Sequence, residues 1–299
     1  MSLKDIVRSL TPDFLLNLNR KRKKNNVNQA LKNQKSKGDI VTESQLVNDL
    51  LAIGIKEGDT LLVHSSLSKM GYLEQGPKTF VDALLKVVGE KGNILMPTSP
   101  NAVFQLNYIQ NTPFFDVLNS PSKLGAITEY FRTLPNSIRS LNATEPVSAI
   151  GPLAEYFTKG HFNQLTPYNE HSPFYKVGVK KGKILYIGVT LDNAGTSLHT
   201  LEDEIAEFKY PVYYPVDFDF TVIDEKGEKH KVTTKVHNPE WSKKRKCDGL
   251  IPGFQSAGVL EKVKIGKAET LLVDAEGFFN TMVSKYKSNG VTMYTPNGE

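Results

Sequence analysis

A chain of 299 residues, 39% of them hydrophobic and 23% charged, is long enough for one large globular domain or for such a domain with a small appendage. No run of 18 apolar residues is present to cross a membrane, the opening MSLKDIVRSL lacks the apolar stretch and cleavage site of a secretory signal, and a single cysteine, Cys247, excludes an intramolecular disulfide or a multi-cysteine metal site. The net charge of +5 divides into +8 over residues 1–38 and −3 over residues 39–299, so the basicity belongs to a tail and no nucleic-acid partner is expected.

That division marks residues 1–38 as a basic N-terminal extension ahead of a domain over residues 39–299. In the extension Ile6, Val7, Leu10, Phe14, Leu15 and Leu18 fall on one helical face, interrupted by Pro12, and RKRKK follows. Such a segment suits an anionic membrane surface or a partner; it equally suits a helix folded on the body or across a dimer interface. Thr42 then caps a helix running to Ala52. TLLVH, residues 60–64, is a short apolar strand, and Pro77 opens an amphipathic helix ending at Val88. NILMP, residues 93–97, is a second strand. A helix over 123–132, strands over 147–150 and 183–189, and a helix over 196–208 continue the alternation. It predicts an α/β fold with a largely parallel central sheet and flanking helices. Beyond Tyr210, alternating segments 217–224 and 229–236 flank a Glu-Lys-Gly-Glu turn, and 259–265 pairs with 268–273. These read as a smaller β-rich C-terminal portion, closed by a helix over 275–287.

Loops at the C-terminal ends of strands are the usual ligand sites of open α/β sheets, and three here concentrate small polar residues. The first holds His64, Ser65, Ser66, Leu67 and Ser68, where backbone amides and hydroxyls can hold a phosphate without a P-loop sequence. His64 ends an apolar strand and, taken alone, reads as a core histidine. The second, residues 96–100, places Thr98 in a proline-flanked turn. The third, residues 188–207, sets His199 three residues before Glu202, on one helical face. A carboxylate beside an imidazole fixes its tautomer and stabilises the imidazolium, as a general base requires, although a pair on a solvated helix face has the same spacing. Asp203 and Glu204 add negative potential that attracts a cationic amine. No third ligand lies within close sequence reach, so no metal is expected. Cys247 sits among basic residues that lower a thiol pKa, but no neighbouring His supports a nucleophile.

These segments carry a resemblance. IKEGDTLLVHSSLSKMGYLEQGPKTFVDALLKVVGEKGNILMPT, PSKLGAITEYFR, RSLNATEPVSAIGPLAEYFTKGH, SPFYKV and GKILYIGVTLDNAGTSLHTLED resemble, in order and spacing, the aminoglycoside 3-N-acetyltransferase family (antibiotic N-acetyltransferases), whose fold is not that of the GNAT superfamily. The resemblance spans residues 39–299. It implies direct attack of a substrate amine on an acyl-CoA, acetyl-CoA or another, in a ternary complex. His199 would be the base and Glu202 its partner. CoA would lie along His64, Ser65, Ser66, Leu67 and Ser68 and near Thr98, with Asp192 and Glu204 toward the acceptor. Two departures stand out: Asn142–Ala143–Thr144–Glu145–Pro146 replaces a His-Pro-Thr-His-Ser-like segment of many relatives, and the loop at Asp192 is one residue longer.

The basic tail and texture resemble the branch associated with bacterial surface polysaccharides, O-antigen and lipopolysaccharide. That implies a nucleotide-linked amino sugar as acceptor, a cytoplasmic enzyme peripheral to the inner membrane through residues 1–38, and room for a homodimer. An aminoglycoside is the alternative acceptor, since Asp203, Glu204 and Glu207 could line an acidic cleft for a polycation. A Ser–His–Glu hydrolase using Ser65 or Ser66, although GxSxG is absent, and a non-catalytic binding protein are the distant alternatives.

Overall fold

The computed structural model describes residues 13–101 and 104–298. In chain order its first elements are α1 (Asp13–Ser36), β1 (Ile40–Val41), α2 (Glu43–Ala52), β2 (Thr60–Ser65), β3 (Tyr72–Leu73), α3 (Pro77–Val88) and β4 (Asn93–Pro97). Then come α4 (Gln105–Asn111), β5 (Phe114–Asp116), α5 (Ala126–Arg132), β6 (Ile138–Arg139), β7 (Val147–Ile150), α6 (Ala154–Thr158) and α7 (Pro173–Val179). They are followed by β8 (Lys183–Ile187), α8 (Leu191–Ala194), α9 (Thr200–Glu204), β9 (Phe218–Ile223), β10 (Lys229–Thr234) and α10 (Pro239–Ser242). The last are α11 (Ile251–Ser256), β11 (Leu260–Ile265), β12 (Ala268–Asp274) and α12 (Ala275–Asn289).

Seven strands form the central sheet in the order β11-β12-β8-β2-β4-β7-β6. The α/β class with flanking helices is as expected, but the sheet is mixed. Only β8–β2 and β2–β4 are parallel; the other four pairings are antiparallel. The β2–α3–β4 crossover provides the helix that a parallel pair requires, whereas both flanks close through chain reversals. The 259–273 hairpin therefore extends the central sheet as β11–β12, and only β9–β10 stands apart, in a three-stranded sheet with β5.

Period-2 alternation along β2 sends Leu61 and Val63 to one face and Leu62 to the other. The first face packs Leu46, Leu50, Phe80, Leu84, Ile127 and Phe131 from α2, α3 and α5. The second packs Phe157, Phe174, Phe254 and Phe278 with Tyr186. Each such side chain contributes about 1.5–3 kcal/mol by leaving water. Thr42 caps α2 as predicted, its hydroxyl accepting from Gln45 N at 3.3 Å.

The predicted apolar face at Ile6, Val7 and Leu10 lies outside the described residues, as do the side chains of Phe14 and Leu15. RKRKK lies inside α1, whose C-terminal end is folded onto the body: Tyr72 N donates to Gln34 Oε1 at 2.9 Å, and Lys35 Nζ sits 5.4 Å from the Tyr72 ring centre.

The 196–208 helix is shorter than predicted. A 3-10 turn over Thr196–His199 runs into α9, which stops at Glu204, and α8 occupies the preceding loop. Gly188 lets this loop leave β8: its φ is +65°, and a Cβ there would lie 2.4 Å from Lys69 Cβ. The loops after β8 and β2 are thereby pressed together.

Candidate active site

Glu202 is the centre of a buried polar cluster. His199 Nδ1 donates to its Oε2 at 2.8 Å, and His237 Nε2 donates to the same oxygen at 2.8 Å. Tyr294 donates to Oε1 at 2.6 Å. Because His199 ends the 3-10 turn and Glu202 lies in the first turn of α9, the HxxE spacing closes one side of this cluster locally. The pair is no solvated face: the Glu202 side chain is 0% exposed and that of His199 4%.

Aromatic rings fix the imidazoles. Tyr168 lies against both His199 and His237, with ring centres 4.8 and 5.4 Å away, and Tyr213 stacks on His237 at 5.0 Å. Asp203 ties the two tyrosines together, accepting from Tyr213 OH at 2.5 Å and from Tyr168 N at 3.0 Å. A second arm runs outward: His237 N donates to Gln105 Oε1 at 2.8 Å, and Gln105 Nε2 donates to Glu145 Oε1 at 2.8 Å. Ser99 donates to the other Glu145 oxygen at 2.6 Å. Glu145 thus gives the departing 142–146 loop a structural task, presented by Asn142 Oδ1, which accepts from the amides of Thr144 and Glu145.

The electrostatics assign the protons. Burial lowers the His199 pKa from 6.5 to about 3, opposed by Glu202, so the imidazole is neutral. Burial alone would raise the Glu202 carboxyl, but His199 and His237 hold it well below the usual range. With Nδ1–H committed to an ionised Glu202, the His199 Nε2 lone pair is free, and it has no hydrogen-bond partner among the described residues.

His199, Glu202 and His237 also place three metal-type ligand atoms within 4.8 Å of one another; the third, His237, lies beyond the close sequence reach over which none was found. Both nitrogens stand 2.8 Å from one carboxylate oxygen, which is hydrogen-bond spacing.

The first predicted loop divides. Ser65, Ser66, Leu67 and Ser68 line a cleft of about 420 Å³, faced by Leu124–Thr128 and by Asn28 and Leu31 of α1. His64 does not line it; its ring stacks on Tyr186 at 4.8 Å, the core role its strand position suggested. Thr98 is wholly buried, its hydroxyl within bonding distance of Pro146 O, Ser148 and Arg139. Asp192 exchanges backbone-to-carboxylate bonds with Asp248, at 3.1 and 3.2 Å. Glu204 and Glu207 are exposed.

A separate cleft of about 500 Å³ is lined by Glu202, Asp203 and Asp217, with Lys235 and tyrosines 210, 213 and 214. Of the three carboxylates expected there, Asp203 lines this cleft and Glu204 and Glu207 do not; Glu202 and Asp217 supply the rest of its acidity. The Cys247 thiol is buried and pushed up to about 12 by that burial, which removes it as a nucleophile. Among the described residues no serine hydroxyl bonds His199, so the hydrolase arrangement is absent. His237, Tyr294, Tyr168, Gln105 and Glu145 escaped the sequence reading because they reach Glu202 and its partners from distant segments.

Residues 62–287 match the family model for aminoglycoside 3-N-acetyltransferase. Aminoglycoside N(3)-acetyltransferase IX of Micromonospora chalcea is 25% identical over 279 residues, covering 83% of this chain and 94% of that protein. Among solved structures, AAC-IIIb in binary complex with CoASH superposes with a TM-score of 0.69 at 26% identity, covering 83% of this chain and 97% of that one. AAC-VIa bound to sisomicin gives a TM-score of 0.70 at 26% identity, with coverages of 83% and 98%. These relatives overturn the expected nucleotide-linked amino sugar acceptor: the Micromonospora protein is named for aminoglycosides, and AAC-VIa is bound to the aminoglycoside sisomicin. None of the three ties the chain to a surface-polysaccharide branch. The buried His–Glu cluster, the mixed seven-stranded sheet and the match over most of the chain agree on one conclusion: the chain belongs to the aminoglycoside 3-N-acetyltransferase family.

Proposed function

We propose that this N-acetyltransferase moves the acetyl group of acetyl-CoA to an amine of an aminoglycoside, with His199 as general base and Glu202 as its carboxylate partner. The observation that carries the reading is the buried His199–Glu202 bond of 2.8 Å, which fixes Nδ1–H and leaves Nε2 as the proton acceptor. Nε2 takes a proton from the acceptor amine, and the amine nitrogen attacks the thioester carbonyl carbon. The resulting imidazolium sits against an ionised carboxylate, so charge that burial would otherwise forbid is compensated as it forms. The C–S bond of the tetrahedral intermediate then breaks, and the departing thiolate takes the proton to leave as CoASH.

The CoASH complex of AAC-IIIb supports the choice of donor, and the open groove along Ser65–Ser68 offers the CoA wall. The sisomicin complex of AAC-VIa supports the acceptor class. The acidic cleft beside Glu202, where Asp203 and Asp217 outnumber Lys235, suits a polycation.

Thiol release from acetyl-CoA with an aminoglycoside panel tests the reading. His199→Ala is expected to lower kcat/KM by about 10²–10⁴ with an unchanged circular dichroism spectrum. A fully active variant would sink the mechanism, and the absence of thiol release with every aminoglycoside would sink the acceptor.

A further inference from the structure

The cleft along Ser65–Ser68 has one wall that the family match does not include. α1 ends well before residue 62, where that match begins, yet Asn28 and Leu31 of α1 line the cleft with Ser65, Ser66 and Ser68. The helix is held there from its C-terminal end, through Gln34 and Lys35 on Tyr72. It is also the most basic element of the chain, with seven Lys/Arg and one acid over Asp13–Ser36, whereas residues 39–299 sum to −3.

Helical spacing decides which of those cations serve the cleft. Lys24 and Lys21 precede Asn28 by four and seven residues and share the face that Asn28 and Leu31 present, as do Lys32 and Lys35 beyond it, the latter engaged over the Tyr72 ring. Arg22 and Lys23 fall on the other side. One turn advances about 5.4 Å, so Lys24 stands one turn and Lys21 two turns from Asn28 along that face. Lys21 and Lys24 are exposed, so their charges are free to meet a ligand. Opposite them, Ser65 Oγ is a buried hydroxyl with no hydrogen-bond partner among the described residues.

We infer that α1 is a built-in wall of the acyl-CoA groove, and that Lys21 and Lys24 hold the anionic nucleotide end of CoA, its pyrophosphate and ribose phosphate. The inference rests on the acetyl-CoA reading above and adds to it residues of this chain outside the matched region. It also gives the basic extension a task in substrate binding.

Calorimetric titration of the full-length protein with CoASH, and with pantetheine as a phosphate-free probe, tests it. Lys21→Ala/Lys24→Ala is expected to weaken CoASH binding roughly five- to tenfold and to flatten its salt dependence, with pantetheine binding unchanged. Arg22→Ala/Lys23→Ala removes the same charge from the other side of the helix and is expected to leave the CoASH affinity within about twofold of wild type. Equal losses in the two double variants would reduce the effect to long-range charge and overturn the assignment, as would no loss in either. A wild type that binds no CoASH would overturn the acetyl-CoA reading itself and the inference with it, whereas CoASH binding indifferent to Lys21 and Lys24 would overturn only the inference.

Discussion

The Glu202 cluster and the Ser65–Ser68 groove lie at the ends of adjacent strands and are built on opposite rules. Around Glu202 both carboxylate oxygens are engaged, by two imidazoles and a phenol, and stacked rings lock the imidazoles. Along the groove a buried hydroxyl has no partner among the described residues, and the space beside it is open. A group that must present one lone pair in one direction needs its other atoms committed. A surface that must receive a ligand needs its donors uncommitted. Saturation and vacancy are therefore the two signatures to compare when assigning roles here.

The comparison is broken most strongly by Glu202→Gln. An amide oxygen in the place of Oε2 can still accept from both imidazoles, but its NH₂ then opposes the Tyr294 hydroxyl, so a buried cluster loses its charge and part of its hydrogen bonding. The expected cost is about 3 kcal/mol, lowering Tm by on the order of 10 °C, together with a fall in kcat/KM of at least about 100-fold. A Tm within about 2 °C of wild type would show that the cluster is not the tightly coupled unit described.

Acid sharpens it next. Burial lowers the pKa of His64, His161 and His199 from 6.5 to about 3 in each case. Below pH 6.5 the unfolded chain binds protons at these positions that the folded chain refuses until about pH 3, so stability falls as pH falls through that window. Each histidine contributes a slope of up to about 1.4 kcal/mol per pH unit. Urea unfolding at pH 7, 6 and 5 measures the sum, and His64→Phe, which removes the imidazole stacked on Tyr186, should reduce the slope by about a third. Stability that stays flat from pH 7 to 5 would mean these imidazoles are not held neutral.

What the sequence made legible follows the same divide. Pro77–Val88, Asn93–Pro97 and Val147–Ile150 were bounded correctly, because proline, glycine and apolar runs act locally. The His199–Glu202 pair was legible because one turn of helix closes it. Its second imidazole and its phenol were not, since His237 is 35 residues and Tyr294 92 residues from Glu202, brought there by packing alone. Nor does a strand's direction in the sheet show in its own residues. The apolar segments at 147–150 and 268–273 look alike whether they join parallel or antiparallel, and both joined antiparallel. Thr98 follows β4 and Asp192 lies in α8 after β8, but their saturation by Arg139 and by Asp248 depends on contacts that no local pattern carries.

The smallest expected effect tests the groove side of the divide. Ser65 Oγ is buried without a partner, so Ser65→Ala removes desolvation already incurred and no hydrogen bond. Urea unfolding of the apo protein should place the variant within about 0.5 kcal/mol of wild type, or slightly above it. CoASH affinity should nevertheless fall by a factor of about three to five if the hydroxyl meets CoA as proposed. If the variant instead loses more than about 1 kcal/mol without ligand, the hydroxyl was serving the fold, and the groove would obey the same rule as the Glu202 cluster.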